Sequence, residues 1–377
     1  MKLHRSLQVI AVGLSFSLLV TGAVHAKPIK YNFTEIADTS GNLKALGIPV
    51  INNLGIVGFK AQLDEGGDSL FSSDGNTTTT IADTSSNFSF IGDDVSINDV
   101  GTIAFIAGQS RQNPQVVGVY TSDGKTLKTI ITTPTTDENG VGFRANSFEE
   151  VSINNTGIVA LIESISSRAQ IVLIGDGSNT KQISRSASPL FSRLQISDRG
   201  NVVFSYYILE IYTGDISTTT LIASARGFSD GKVDFVTNPS FNNSGTFAYI
   251  IGSGDTVKNE FIQSEVVTKK GNTTTTVAGT SGDFNNFGST SINDRGTVAF
   301  IANLDAGGEG IFTGNNPKTD KVIATGDSLF GYTVVDLDFA SEGLNNSGQI
   351  TFVAKLANNT QVVVRANPKR NFRGLRN

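Results

Sequence analysis

Residues 96–107 read SINDVGTIAFIA, and the phrase returns along the whole chain: VINNLGIVGFKA at 50–61, SINNTGIVALIE at 152–163, QISDRGNVVFSY at 195–206, SFNNSGTFAYII at 240–251, SINDRGTVAFIA at 291–302 and GLNNSGQITFVA at 343–354. The shared glycines are Gly55, Gly101, Gly157, Gly200, Gly245, Gly296 and Gly348, spaced 46, 56, 43, 45, 51 and 52 residues apart. Such a period fits four short strands with their turns and exceeds the turn-to-turn repeat of a solenoid coil.

Each copy reads as strand, tight turn, strand. At 96–107, Val95 and Ile97 alternate before the turn, and Ile103, Phe105 and Ala107 alternate after it, the period of two that marks a strand. A three-residue hairpin loop built from a type I turn and a left-handed residue wants Gly last, because Gly takes positive φ without a Cβ penalty. The Asn at its head bonds to the turn backbone. Asn98 with Gly101, Asn154 with Gly157, Asn293 with Gly296 and Asn345 with Gly348 are therefore read as turn chemistry. Four residues beyond each Gly stand Phe59, Phe105, Leu161, Phe204, Tyr249, Phe300 and Phe352, a core position repeated in one register.

Two further strand-like runs follow each hairpin, split in two units by Asp123-Gly124 and Asp176-Gly177, which read as hairpin turns. The unit is a four-stranded meander, A to D. Its B strand is apolar or small on both faces, as at Ile103, Ala104, Phe105 and Ile106, so the sheet is covered on both sides. Radially stacked blades meet that demand. The seventh unit stops after strand C (TQVVVRA from Thr360), while an unpaired run, YNFTEIADT from Tyr31, matches the fourth-strand phrases TTTTIADTS and TTTTVAGTS. The expectation is an all-β, seven-bladed β-propeller of four-stranded antiparallel blades, closed by a strand at about residues 30–39 joining the last blade. It occupies residues 27–367 as one domain.

Composition narrows function. Of 377 residues none is Cys or Trp, and the two His, His4 and His25, lie with the one Met in the first 26 residues. That segment has a basic start, an apolar run from Leu7 to about Val20 and a small-residue end at Ala26, the order of a secretory signal. Its removal leaves no His or Cys, which excludes Ser-His-Asp and Cys-His catalysis and the usual zinc, haem and thiolate sites. It also moves the net charge from -5 to -7, since Lys2 and Arg5 leave and no acid does. An acidic chain argues against nucleic acid as a partner, and no later run reaches the ~18 apolar residues of a membrane span. A secreted or periplasmic monomer is expected, with a basic C-terminal tail at 368–377.

The phrases Asn98-x-x-Gly101 with Ala107, Asn293-x-x-Gly296 with Ala302 and Asn345-x-x-Gly348 with Ala354, and the copy ending at Ala61, resemble a family of secreted bacterial proteins with tandem Asn-x-x-Gly repeats, each followed by an alternating apolar strand ending in Ala. The resemblance spans nearly the whole chain after residue 26. It implies an exported, propeller-like protein with no assigned activity, often with a C-terminal sorting anchor. This chain departs at its end, where NPKRNFRGLRN has no apolar segment before the basic residues, and at Glu163, Tyr206 and Ile251, which replace the Ala.

In a propeller the D-to-A and B-to-C loops share one face around the central channel. Here those loops carry Asp64, Asp68, Asp93, Asp94, Glu149, Glu150, Asp305 and Glu342, the candidate ligand-binding residues. The reading favoured is a non-catalytic exported propeller that binds a macromolecule or cell-surface component, without a cofactor. One alternative is a Ca²⁺-assisted hydrolase with carboxylates at the channel mouth, since calcium takes six to eight oxygen ligands. A second is a lectin-like glycan binder that stacks sugars on Tyr in place of Trp.

Overall fold

The computed structural model describes residues 29–369 apart from 86–87, 110–115, 134–146, 167–168, 187–190 and positions 216, 226, 230, 256 and 259. The leader at 1–26, and the basic tail from 370 onward, lie outside the described residues. Seven antiparallel sheets follow one another around the chain, each running from an inner strand A to an outer strand D. Blade 2 shows the pattern, with strands Phe88–Ile97, Ile103–Gln109, Val117–Ser122 and Leu127–Thr132. None of the described residues is helical.

Closure follows the expected route. The strand Tyr31–Asp38 pairs with Gln361–Pro368 and becomes strand D of blade 7. Ile36 and Val363 are buried there with Val57 and Phe59 of blade 1, so the first strand also joins the last blade to the first. Two additions were not anticipated. Short strands at Gly227–Ser229 and Ser328–Leu329 pair with the A strands of blades 5 and 7, forming extra hairpins before those strands.

The core is a set of seven clusters, each filling the gap between two blades. Ile103 and Phe105 pack toward blade 1 with Val50 and Leu70, whereas Ala104 and Ile106 pack toward blade 3 with Phe148 and Leu161. This explains the apolar residues on both faces of strand B: successive side chains face opposite neighbours. The position four residues after each repeat glycine is buried in all seven blades, Phe59, Phe105, Leu161, Phe204, Tyr249, Phe300 and Phe352 being at most 4% exposed.

The repeated turn does two jobs. Within a blade, the Gly55 N–H donates to Asn52 O at 3.0 Å, the Asn52 N–H donates to Ile56 O at 3.0 Å, and Gly55 has φ 83°. All seven repeat glycines have φ between 75° and 85°, as the turn type requires. Asn52 Oδ1 accepts from the N–H groups of Leu54 and Ile56. Between blades, Asn52 Nδ2 donates to Asn98 O at 2.9 Å, and the same link recurs from Asn98, Asn154, Asn242, Asn293 and Asn345, the last returning to Asn52 O. The amide uses its two ends at once, the oxygen as acceptor for its own turn and the nitrogen as donor to the next. Blade 4 has Ser197 at this place, and its hydroxyl donates to Asn201 O within the same turn instead.

The next residue of each turn builds a second, unbroken ring. The N–H groups of Asn53, Asp99, Asn155, Asp198, Asn243, Asp294 and Asn346 each donate to Oδ1 of the equivalent side chain one blade on, at 2.7–3.0 Å. Asn and Asp alternate, so amide groups lie against carboxylates, as where Asn155 Nδ2 reaches both Asp99 and Asp198. Seven places cannot alternate perfectly, and the mismatch, Asn346 beside Asn53, falls where blade 7 meets blade 1.

Candidate functional site

The two ends of the central channel differ. At the end formed by the A-to-B turns the side-chain rings close around a cavity of about 150 Å³. At the opposite end, where D-to-A and B-to-C connections lie, the channel widens to a mouth of about 1000 Å³. Ser341 and Glu342 line both cavities and stand between them.

One position of each repeat recurs around the mouth, within strand A in blades 2 to 6 and outside the strands in blades 1 and 7. Counting seven residues back from each repeat glycine gives Ile48, Asp94, Glu150, Arg193, Asn238, Ser289 and Ser341, and all but Asn238 line the mouth. In blades 2, 4, 5 and 6 the pairing with strand B slips across this position. Such bulges break the in-out alternation and re-aim a side chain. At Arg193 and Asn238 the backbone enters the left-handed region, with φ 59° and 52°, a conformation that costs about 1 kcal/mol or more in a non-glycine residue. The turn is repeated from blade to blade, while this row carries seven positions of five chemical kinds.

Six of the eight expected acids come together here: Asp68, Asp93, Asp94, Glu149, Glu150 and Glu342. Asp64 and Asp305, expected with them, lie exposed in B-to-C turns and do not line the cavity. Asp93 projects into solvent at the rim and pairs with Lys60 at 2.8 Å, and Lys60 also meets Asp68 at 3.4 Å. Glu149 is held by Gln170 Nε2 at 2.6 Å and by the Ser164 hydroxyl, which ties it into blade 3. The remaining three surround the axis. Asp94 Oδ2 accepts from the Val151 N–H at 2.5 Å, and Glu150 Oε2 accepts from the Leu194 N–H at 2.7 Å, so each carboxylate of this row latches the following blade.

Glu342 crosses the channel. It leaves blade 7 and accepts from the Ser152 hydroxyl of blade 3 at 2.8 Å, while Gln195 Nε2 of blade 4 donates to Ser341 O at 3.0 Å. Burial pushes the Glu342 carboxyl up to about 7, against the pull of its hydrogen bonds with Ser96 and Ser152. Asp94 is held well above the usual carboxylate range, first by burial and then by the charge of Glu150, with Glu342 adding to it and the Val151 N–H and Arg193 acting against it. Both residues are partly buried and line the mouth. Away from the mouth, Glu309 is raised by burial and by Asp336, which shares a hydrogen bond with it, while the Leu337 N–H pulls it down. Among the described residues, no three His, Cys or acidic side chains lie close enough together to hold a metal ion.

Sequence reasoning named the acids but missed Arg193, Lys60, Ser289 and Ser341. The signal was present: the distance back from each repeat glycine locates three of the four.

A family model matches residues 29–364. No curated protein sequence matches the chain. Among solved structures, an oligogalacturonate lyase in complex with manganese is similar, with TM-score 0.52 and 10% identity over 91% of this chain and 97% of the other. An oligogalacturonate lyase from Vibrio parahaemolyticus gives TM-score 0.52 and 13% identity over 91% and 98%. A prolyl endopeptidase gives TM-score 0.53 and 10% identity, covering 88% of this chain and 51% of its own. At such identities the likeness is one of fold alone. With its seven blades and the match along nearly all of them, the chain belongs to the family of unknown function designated DUF7453.

Proposed function

We propose that this chain is a non-catalytic, exported binding propeller that takes hold of a macromolecule or cell-surface component through its wide mouth. The observation that carries the reading is the division of labour along strand A. Positions that repeat build turns and core, whereas the row seven before each glycine varies from blade to blade, and six of its seven residues line a cavity of about 1000 Å³, at the upper end of the size range of ligand pockets. Conserving the frame while diversifying one ring suits recognition of a single asymmetric partner, and it disfavours seven equal sugar pockets. Export is inferred from residues 1–26, with their basic start, apolar run and small-residue end.

A photo-crosslinking residue placed at Ser289, in the mouth, and in a second protein at Leu54, exposed on the opposite face, tests the reading in extracts of the source cell. Adducts formed from position 289, absent from position 54 and suppressed by unlabelled protein, are expected. Adducts formed only from position 54 would overturn it.

A further inference from the structure

Resting on the mouth as the binding face, we infer that its occupant is a segment of a partner protein that inserts an arginine or lysine side chain between blades 2 and 3. The warrant is an imbalance of charge inside a walled cavity. Asp94 and Glu150 stand on neighbouring blades, each satisfied by one backbone N–H of the next blade. Among the described residues no Lys or Arg nitrogen comes within 4.0 Å of either carboxylate; the ion pairs present are those of Lys60 with Asp68 and Asp93, and of Lys321 with Asp327. Lys60 is thus already engaged at the rim. Arg193, on blade 4, is exposed and makes no ion pair that close.

Burial and the charge of Glu150 disfavour the ionised form of Asp94, Arg193 offsetting only part of this, and a ligand cation seated between the two carboxyls favours ionisation and completes the pair. The surrounding wall suits the rest of such a side chain. Ile48, which is exposed, and the buried Phe148, Leu194 and Phe339 behind the wall line the same cavity and set apolar atoms beside a methylene stem, while the charged head goes to the acids. Across the channel the row is neutral, with Ser289 and Ser341, and supplies hydroxyls to the backbone of an inserted loop. A bare metal ion would leave most of the volume unfilled, and an acidic segment would meet the carboxylates with like charge.

The test uses a fluorescein-labelled peptide, GSFRFSG, and the same peptide with citrulline in place of arginine, which keeps the shape and removes the charge. Anisotropy is read at physiological salt with the wild type, Asp94→Asn, Glu150→Gln and Asp305→Asn, folding being checked by thermal melts. Both mouth substitutions keep an oxygen for the N–H of Val151 or Leu194, so each stands in for the other if one fails to fold. The arginine peptide is expected to bind about tenfold or more tightly than the citrulline peptide, a difference of about 1.4 kcal/mol. That preference is expected to fall by about fivefold or more in either mouth variant and to stay within about twofold in Asp305→Asn. Equal affinity for the two peptides, with both lost on plugging the mouth by Ser289→Trp, would overturn the cation inference and leave the mouth reading standing. No binding of the arginine peptide at about 1 mM overturns the inference. Binding that no mouth substitution alters would overturn both.

Discussion

Replacing Glu342 by Gln is expected to make the fold more stable in mild alkali and to leave it nearly unchanged in acid. The Glu342 carboxyl moves from an ordinary 4.5 to about 7 because burial penalises its charged form, while Ser96 and Ser152 pull the other way. The folded chain therefore keeps a proton that the unfolded chain gives up. The associated stability is fully present below about pH 4.5, declines as pH rises, and is lost once pH passes about 7. A gap of about 2.5 at 1.36 kcal/mol per pH unit comes to about 3 kcal/mol. Gln carries no such burden and still offers an oxygen to the Ser152 hydroxyl, now 2.8 Å away. Its neutrality also removes one contributor to the crowding of Asp94. With about 2.1 cal/mol/K of unfolding entropy per residue, a fold of this length gains roughly 4–5 °C in Tm at pH 8. Thermal and urea melts of both proteins at pH 5 and pH 8 decide the matter. Parallel pH profiles, or a Gln variant less stable at pH 8, would refute the argument that this strut carries a strained charge.

Three further perturbations address the frame. Ser197→Asn supplies the inter-blade amide that blade 4 lacks, so a gain of about 1 kcal/mol is expected in urea melts; an unchanged midpoint would count against the ring as a source of stability. Asn98→Asp keeps the turn acceptor but removes the donor to Asn154 O, and a loss of about 1–3 kcal/mol is expected from the lost bond and from a carboxylate set against that buried carbonyl, which keeps its bond from the Gly157 N–H, read by the same melts. Removing residues 29–40 bares the edge formed by Val362, Val363 and Val364, and an unprotected hydrophobic edge invites aggregation. The truncated chain is expected to lose its cooperative melt and to regain it with a synthetic peptide covering the missing strand; an unaltered melt without the peptide would show that the ring closes by other means.

The fold was legible because its determinants are local and repeated. Gly101 with φ 85° and the buried Phe105 are each fixed by a pattern a few residues long, and repetition in seven units separates that pattern from chance. The matching phrases at Tyr31 and Thr77 were enough to place the closing strand. The amide ring was half visible: the Asn at the head of each turn was read for its own backbone, as the bonds of Asn98 to Thr102 bear out, whereas its second bond reaches residue 154 and depends on how blades sit side by side. The Asn/Asp alternation at 53, 99, 155, 198, 243, 294 and 346 was open to inspection in the aligned copies. At the mouth, residue type alone drew attention to acids, and it could not separate Asp94, beside the axis, from Asp64, in an exposed turn. That distinction comes from where the two stand, Asp94 at a bulge of strand A and Asp64 in the turn between strands B and C. Arg193 went unnoticed because a single arginine in a strand carries no pattern of its own.

Hydrogen exchange on the whole protein, with and without the partner recovered by crosslinking at position 289, tests most directly whether the mouth is where binding occurs. Slowed exchange is expected in the inner strands around Asp94, Glu150 and Arg193 and near Ser341, with the A-to-B turns and the outer strands unaffected. Protection confined to those turns or outer edges, with none around the mouth, would contradict the account.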